Sequence, residues 1–108
     1  MPRKKHHNVY VVELDGAVWK EWKFRRANPG CDEDCACYYV GMTGLSPENR
    51  FENHKEGYKS NRYVRLYGLQ LCPMLYEEYN PLSYSDAEEM EKELANILRR
   101  RGHAVWQK

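Results

Sequence analysis

The sequence lacks the features that would direct a chain into a membrane or through a secretory pathway. None of its apolar runs approaches the roughly 18 residues that a membrane-spanning helix requires. Residues 1–7, M-P-R-K-K-H-H, form a basic arm without the apolar segment of a signal peptide. We therefore expect a cytoplasmic protein without membrane contacts, in which the cysteine side chains stay reduced.

The sequence also has almost no excess charge of one sign. Its 17 Lys and Arg against 16 Asp and Glu leave a net charge of +1, which argues against a nonspecific polyanion binder. Local basic clusters can still contact phosphates on a neutral protein, although ordinary solvated surface explains them equally well. The basic clusters lie at residues 3–5, 23–26, 59–65 and 99–101, and the acidic ones at 32–34 and 86–93.

Neither an internal repeat nor a low-complexity linker divides the chain, so we predict a single domain over residues 1–108. The turn signal Asp15-Gly16 predicts that residues 17–23 pair back as a hairpin before a loop over 25–37. Runs of β-branched and aromatic residues predict three strands, at residues 9–14, 37–40 and 69–79.

Capping residues indicate the helices. Serine, threonine or asparagine before an apolar-periodic segment is typical of an N-cap, and glycine is typical of a C-terminal stop. On these signals we predict helices between Ser46 and Gly57, over residues 60–67, and from the N-cap Ser85, with Glu88 completing a capping box, to Gly102. Strands and helices in this order are typical of a compact α+β domain.

One carboxylate falls on the apolar face of the last predicted helix. Glu91 lies four residues after Ala87 and three before Leu94, within a stripe of apolar residues at helical spacing. Burying a carboxylate is costly unless a cation or a donor pairs with it. Glu91 is therefore either one half of a structural ion pair, with Arg50 as a candidate partner, or a ligand of Mg²⁺ beside a phosphate substrate.

Arg50 and His54 are four residues apart and share one face of the first predicted helix. An arginine can bind a phosphate through two parallel hydrogen bonds, and a histidine can move a proton near neutral pH. Taken alone, the pair is more typical of a solvated helix face.

Together with two tyrosines, these residues resemble the GIY-YIG endonuclease superfamily. The resemblance extends from about residue 8 to residue 102, and its most specific part is Y-V-G-M-T-G-L-S-P-E-N-R-F-E-N-H at residues 39–54. A-E-E-M-E-K-E-L at residues 87–94 resembles the metal-binding helix of the family. The resemblance implies a small three-stranded antiparallel sheet flanked by helices, and divalent-metal-dependent hydrolysis of phosphodiester bonds.

By position, the resemblance implies catalytic roles for Tyr10, Tyr39, Arg50, His54 and Glu91. Glu91 would hold one Mg²⁺ or Mn²⁺, and Arg50 would stabilise the phosphate in the transition state. The attacking water would be deprotonated by Tyr10 or through His54, with Tyr39 orienting the water or the base.

The chain departs from the family between the first two motif strands, where residues 15–36 are an insertion, a loop or hairpin, to which the resemblance assigns no role. The first motif also reads Asn8-Val9-Tyr10, without its glycine.

Two further groups of residues carry binding predictions. Lys59, Arg62 and Arg65 alternate with aromatic and amide residues, a pattern that favours contact with a nucleic-acid backbone. Among the four cysteines we expect Cys37 and Cys72 to pack on strands while two others remain loop thiols. The alternative is a zinc site built from Cys31, Cys35, Cys37 and Cys72.

The sequence as a whole favours an endonuclease that acts on DNA, with RNA as an alternative substrate. A chain this short has no room for a separate specificity domain, so cleavage would be directed by substrate structure or by a protein partner. The alternatives are a nucleic-acid-binding module that does not cleave and a zinc-stabilised protein-interaction domain. Retention of both Arg50 and Glu91 favours the enzyme over the inactive module.

Overall fold

The computed structural model describes residues 4–107. Residues 1–3 of the predicted basic arm and Lys108 lie outside the described residues. None of the helices within 4–107 is long and apolar enough to cross a membrane. Over this range the chain forms four strands and four helices, in the order β1 (Asn8–Leu14), α1 (Trp22–Ala27), β2 (Cys37–Thr43), α2 (Pro47–Glu56), α3 (Arg62–Tyr67), β3 (Gly68–Leu71), α4 (Tyr84–Arg100) and β4 (Ala104–Gln107).

The strands form one mixed sheet in the order β3-β1-β2-β4. The predicted α+β class is confirmed, but the predicted three-stranded antiparallel sheet is wrong, because β4 adds to β2 in parallel. Residues 104–107 are too few to show strand periodicity in the sequence. They pair because Gly102, with φ of 89°, redirects the chain after α4 and the Ala104 amide donates to the Ala36 carbonyl at 2.8 Å.

The pairing of β1 with β2 positions the two motif tyrosines. Tyr10 lies opposite Gly41, and Tyr39 lies opposite Val12. Side chains alternate along a strand and paired residues share a face, so both tyrosines and Gly41 lie on the same face of the sheet. Helices α2 and α3 pack against β1, whereas α4 packs along β4, β2 and β1.

The predicted hairpin at residues 17–23 is wrong. Asp15 accepts a hydrogen bond from the Ala17 amide at 2.8 Å and caps a 3-10 turn over Gly16–Lys20, after which α1 follows. Val18 and Phe24 are fully buried, and the Phe24 ring packs edge-on against Tyr63 with 6.1 Å between centroids. Residues 16–27 of the insertion are therefore largely helical and anchored in the core.

Two other predicted boundaries differ from those in the structure. The third strand ends at Leu71, because Pro73 lacks the amide that a ladder needs and instead starts a 3-10 turn. The N-cap of α4 is Ser83, whose hydroxyl accepts from the Asp86 amide at 3.2 Å, and not Ser85 with Glu88. Two serines two residues apart offer the same local signal, and only the observed backbone distinguishes them. The predicted helices α2 and α3 are confirmed, with Ser46 capping α2 and Gly57 at φ of 87° ending it.

Two asparagine side chains pair with strand backbone as a neighbouring strand would. Asn28 accepts from the Val105 amide at 2.8 Å and donates to the Val105 carbonyl at 3.1 Å. Asn80 makes the same two contacts with Val9, at 2.9 and 2.8 Å. Each carboxamide thus satisfies one donor and one acceptor that the sheet leaves without a partner strand.

We predict that Asn28→Ala lowers the free energy of unfolding by about 1–3 kcal/mol, because the buried Val105 amide loses its partner, whereas the Val105 carbonyl keeps the hydrogen bond from Arg99 Nη2 at 3.1 Å. Urea denaturation measures the effect. Asn96→Ala, at an exposed position of α4, is the matched control and should cost nothing, since alanine is the better helix former. Equal stabilities of the two variants would contradict the pairing role of Asn28.

Candidate active site

The site is built around a fully buried histidine. The Nε2 atom of His54 lies 2.8 Å from the Tyr10 hydroxyl oxygen, and the Asn61 amide donates to His54 Nδ1 at 2.9 Å. An amide N–H can only donate, so Nδ1 is the acceptor and the ring hydrogen is on Nε2. His54 therefore donates to the Tyr10 oxygen, and the Tyr10 O–H is directed elsewhere.

The second tyrosine lies directly beside the first. The ring centroids of Tyr10 and Tyr39 are 6.0 Å apart, and the Tyr39 ring also packs edge-on against His54 at 5.8 Å. A Cβ atom at Gly41 would lie 2.7 Å from Cζ and the hydroxyl oxygen of Tyr10 and 2.9 Å from Tyr39 Cε1. The glycine of the Y-V-G motif is thus required because the two rings occupy the space of a side chain.

Burial makes both tyrosines weaker acids than usual. It raises the pKa of Tyr10 well above the ordinary range, and a charged Tyr39 nearby would raise that pKa further, whereas the Arg50 guanidinium lowers it. Burial raises the pKa of Tyr39 to about 12; the Tyr10 hydroxyl lowers it, the Glu91 carboxylate raises it, and Arg50 lowers it. Both side chains are therefore neutral phenols at pH 7 and would ionise only with additional positive charge.

Arg50 connects the tyrosines to the loop between α2 and α3. Its guanidinium donates to the Lys59 carbonyl at 2.8 Å and to the Tyr58 carbonyl at 3.4 Å. Tyr39, Arg50 and Lys59, with Ser60 and Asn61, line an open cleft of about 270 Å³, the arginine cleft. The cleft combines a guanidinium with a tyrosine hydroxyl, which are suitable groups for binding a phosphate.

Glu91 is buried on α4, as its place in the apolar stripe predicts, with only 7% of its surface exposed. Its carboxylate is close enough to Tyr39 to raise the pKa of that hydroxyl. It opens into a neighbouring cleft of about 280 Å³ that Met42 and Gln107 also line, rather than into the arginine cleft. The structure therefore brings Tyr10, Tyr39, Arg50 and His54 into one cluster and places Glu91 beside it.

The predicted nucleic-acid contacts spread from this cluster over exposed surface. Lys59 lies on the rim of the arginine cleft, and Arg65 is exposed on α3. Arg62 Nη2 lies 3.3 Å from both carboxylate oxygens of Glu21, while 62% of the arginine side chain remains exposed. Arg62 thus pairs with Glu21 of the insertion and still remains exposed at the surface.

Two of the four cysteines serve as hydrogen-bond donors. Cys31 donates to the Gly102 carbonyl at 3.7 Å, and Cys37 donates to the Cys35 carbonyl at 3.4 Å. Burial raises the pKa of both Cys31 and Cys37 to about 11, so both thiols are protonated at neutral pH when no metal ion is bound. Across residues 4–107 no three His, Cys, Asp or Glu side chains come together as a metal-binding group.

Two contributors to the site were missed by sequence reasoning. Asn61 caps α3 through its side chain, accepting from the Tyr63 amide at 2.9 Å, while its own amide orients His54. Asparagine is a typical N-cap residue, but the helix was predicted to begin at residue 60, which placed Asn61 inside it and hid the first role. No sequence signal indicated a role for Glu21, because its contact with Arg62 joins residues far apart in the chain.

Comparison with protein-family models, with curated proteins and with solved structures finds no match. The functional argument therefore depends on the residues and the geometry of this chain.

We predict that Gly41→Ala displaces the Tyr10 and Tyr39 rings and destabilises the protein by about 1–3 kcal/mol, the usual cost of overpacking. The thermal midpoint and the aromatic NMR shifts report the two effects. Gly16→Ala is the control, because a Cβ atom there meets nothing within 4 Å. Unchanged tyrosine shifts in Gly41→Ala would show that the rings do not need this space.

Proposed function

We propose that this chain is a GIY-YIG-type endonuclease that hydrolyses phosphodiester bonds in DNA with the help of one divalent metal ion. The observation that carries the proposal is the convergence of Tyr10, Tyr39, Arg50 and His54, which come from three separate elements, on one cluster beside an open cleft. Phosphate binding, orientation of water and control of a proton are the tasks that hydrolysis of a phosphodiester needs.

Glu91 suits Mg²⁺ or Mn²⁺ held mainly by water and substrate. It is a buried carboxylate beside an open cleft, and Mg²⁺ is usually bound by one or two carboxylates together with substrate phosphates and several waters. The described residues add no further carboxylate, histidine or thiol group of the kind that would make a closed site. When bound, the ion supplies Lewis-acid stabilisation of the phosphate.

Arg50 is the proposed phosphate-binding residue. A guanidinium has five N–H donors in a fixed plane, so it can keep the carbonyls of Tyr58 and Lys59 and still donate to a phosphate oxygen. The loop contacts hold the plane in one orientation before substrate arrives, and this lowers the entropic cost of binding in the transition state.

His54 acts in this proposal as a positioning residue. Its Nε2 already carries a hydrogen and is buried against Tyr10, so it is poorly placed to take a proton from water. It instead stabilises negative charge on the Tyr10 oxygen and directs the Tyr10 hydroxyl toward Tyr39. Tyr39, which lines the arginine cleft, orients the attacking water, and Tyr10 becomes a base only where positive charge, including that of Arg50, offsets its raised pKa.

The decisive test is Glu91→Gln, which removes the charge and keeps the shape of the side chain. We expect cleavage to fall by about 10²–10³-fold or more when it is assayed with Mg²⁺ or Mn²⁺. The substrates are plasmid, linear, branched and single-stranded DNA and RNA, and EDTA provides the metal-free blank. Thermal unfolding is measured on the same sample. Glu89→Gln, at an exposed position of the same helix, is the control and should retain activity.

A well-folded Glu91→Gln protein that cuts at the wild-type rate would exclude this mechanism. Early melting of the variant would identify Glu91 as half of a structural ion pair, since breaking a buried pair costs roughly 3–5 kcal/mol.

A second candidate function is a nucleic-acid-binding module that does not cleave. The observation that favours it is the use of Arg50 to hold the loop carbonyls of Tyr58 and Lys59, which gives the arginine a structural reason to be present. Tight binding of DNA without cleavage under either metal ion would support this module over the nuclease.

A further inference from the structure

A second cleft lies beside the arginine cleft, and the proposed mechanism does not use it. It has a volume of about 330 Å³ and joins the insertion to the start of α3 and to β4. Asn61 lines both this cleft and the arginine cleft. The two clefts are therefore neighbours, and a ligand that fills one can extend into the other. We call the second one the tryptophan cleft, after Trp22 and Trp106.

The walls of the tryptophan cleft are aromatic. Trp22 is 57% exposed, although an indole is usually covered in a folded protein. Trp106 and Tyr63 pack edge-to-face with 5.0 Å between ring centroids, so they form a rigid floor. An exposed indole beside a rigid aromatic floor provides flat apolar surface onto which a planar ligand can stack.

The polar groups of the same cleft suit a nucleotide. Glu21 accepts from the Tyr67 hydroxyl at 2.7 Å and from Arg62 at 3.3 Å, and these contacts hold its carboxylate in one place. Hydrogen bonds from Tyr67 and Arg62 lower the pKa of Glu21, so it accepts hydrogen bonds at neutral pH. Lys23 and Arg62 add two cations that can contact phosphates.

We propose that the tryptophan cleft binds the base of an unpaired nucleotide whose strand continues into the arginine cleft. The inference rests on the proposed nuclease function and names its substrate class: single-stranded or branched nucleic acid rather than intact duplex. Stacking on Trp22 needs an exposed base face, and the Glu21 carboxylate needs an N–H on the Watson–Crick edge. Both are hidden in a paired base.

The test is binding of labelled single-stranded, flap and duplex DNA in EDTA, which removes cleavage from the measurement. Trp22→Ala should weaken binding of the single strand and the flap by roughly 10-fold, the order that loss of one base stack gives, and leave duplex binding unchanged. Trp22→Phe should restore most of the affinity. Met74→Ala, at a position that is 91% exposed and outside the cleft, is the control.

The outcomes separate the inference from the nuclease proposal. If the wild-type protein cuts DNA and Trp22→Ala binds every probe as the wild type does, the tryptophan cleft does not bind a base. The same conclusion follows if Trp22→Ala weakens single-strand and duplex binding equally, since the cleft would then contact backbone alone. If the wild-type protein binds an oligonucleotide with Trp22 dependence yet cuts nothing, the base site stands and the nuclease function fails. A wild-type protein that binds no nucleic acid overturns both.

Discussion

The buried imidazole of His54 is the constraint on which the site depends. Its ring is fully buried, with Nε2 against the Tyr10 hydroxyl and Nδ1 against the Asn61 amide. A polar ring in such a place is costly unless its nitrogens are hydrogen-bonded, so these contacts must persist together. They join α2, which carries His54, to the central strand β1 and to the residue that caps α3. One side chain thus contributes to the relative placement of three elements.

The same contacts determine which group donates and which accepts along the hydrogen bonds of the cluster. With the hydrogen on Nε2, His54 donates to Tyr10, and Tyr10 in turn is directed toward Tyr39 at the arginine cleft. Gly41 allows Tyr10 and Tyr39 to lie side by side, because any larger residue would enter the space of both rings. In the proposed mechanism His54, four residues after Arg50, acts through Tyr10. It can therefore affect catalysis without touching the substrate.

The insertion at residues 15–36 packs into the core and contacts α3, the helix that Asn61 caps. Phe24 is buried in the core, Glu21 accepts hydrogen bonds from Arg62 and Tyr67, and Trp22 is exposed in the cleft that Trp106 of β4 also lines. Asn61 lies at the boundary of the two clefts, where it both orients His54 and caps α3. A segment to which the resemblance assigned no role thus supplies one wall of the proposed base site.

Features that depend on neighbouring residues in the chain could be predicted from the sequence. The N-cap Ser46, the C-terminal Gly57 and the apolar stripe that carries Glu91 all follow from local spacing, and the structure confirms them. The proximity of Tyr10, Tyr39, Arg50 and His54 was implied only by resemblance, since no periodicity joins a strand at residue 10 to a helix at residue 54.

The remaining features follow from tertiary contacts and could not be predicted from local sequence. The parallel strand β4, the helical form of residues 16–27, the asparagines that complete the sheet and the tautomer of His54 all depend on contacts between distant parts of the chain. Short segments such as 104–107 have too few residues for a pattern, and Asn28 finds Val105 only after the fold brings them together. Hydrogen bonds between neighbouring residues follow from the local sequence. Whether a buried polar group finds a partner depends on contacts between distant parts of the folded chain, and an unpaired group is costly.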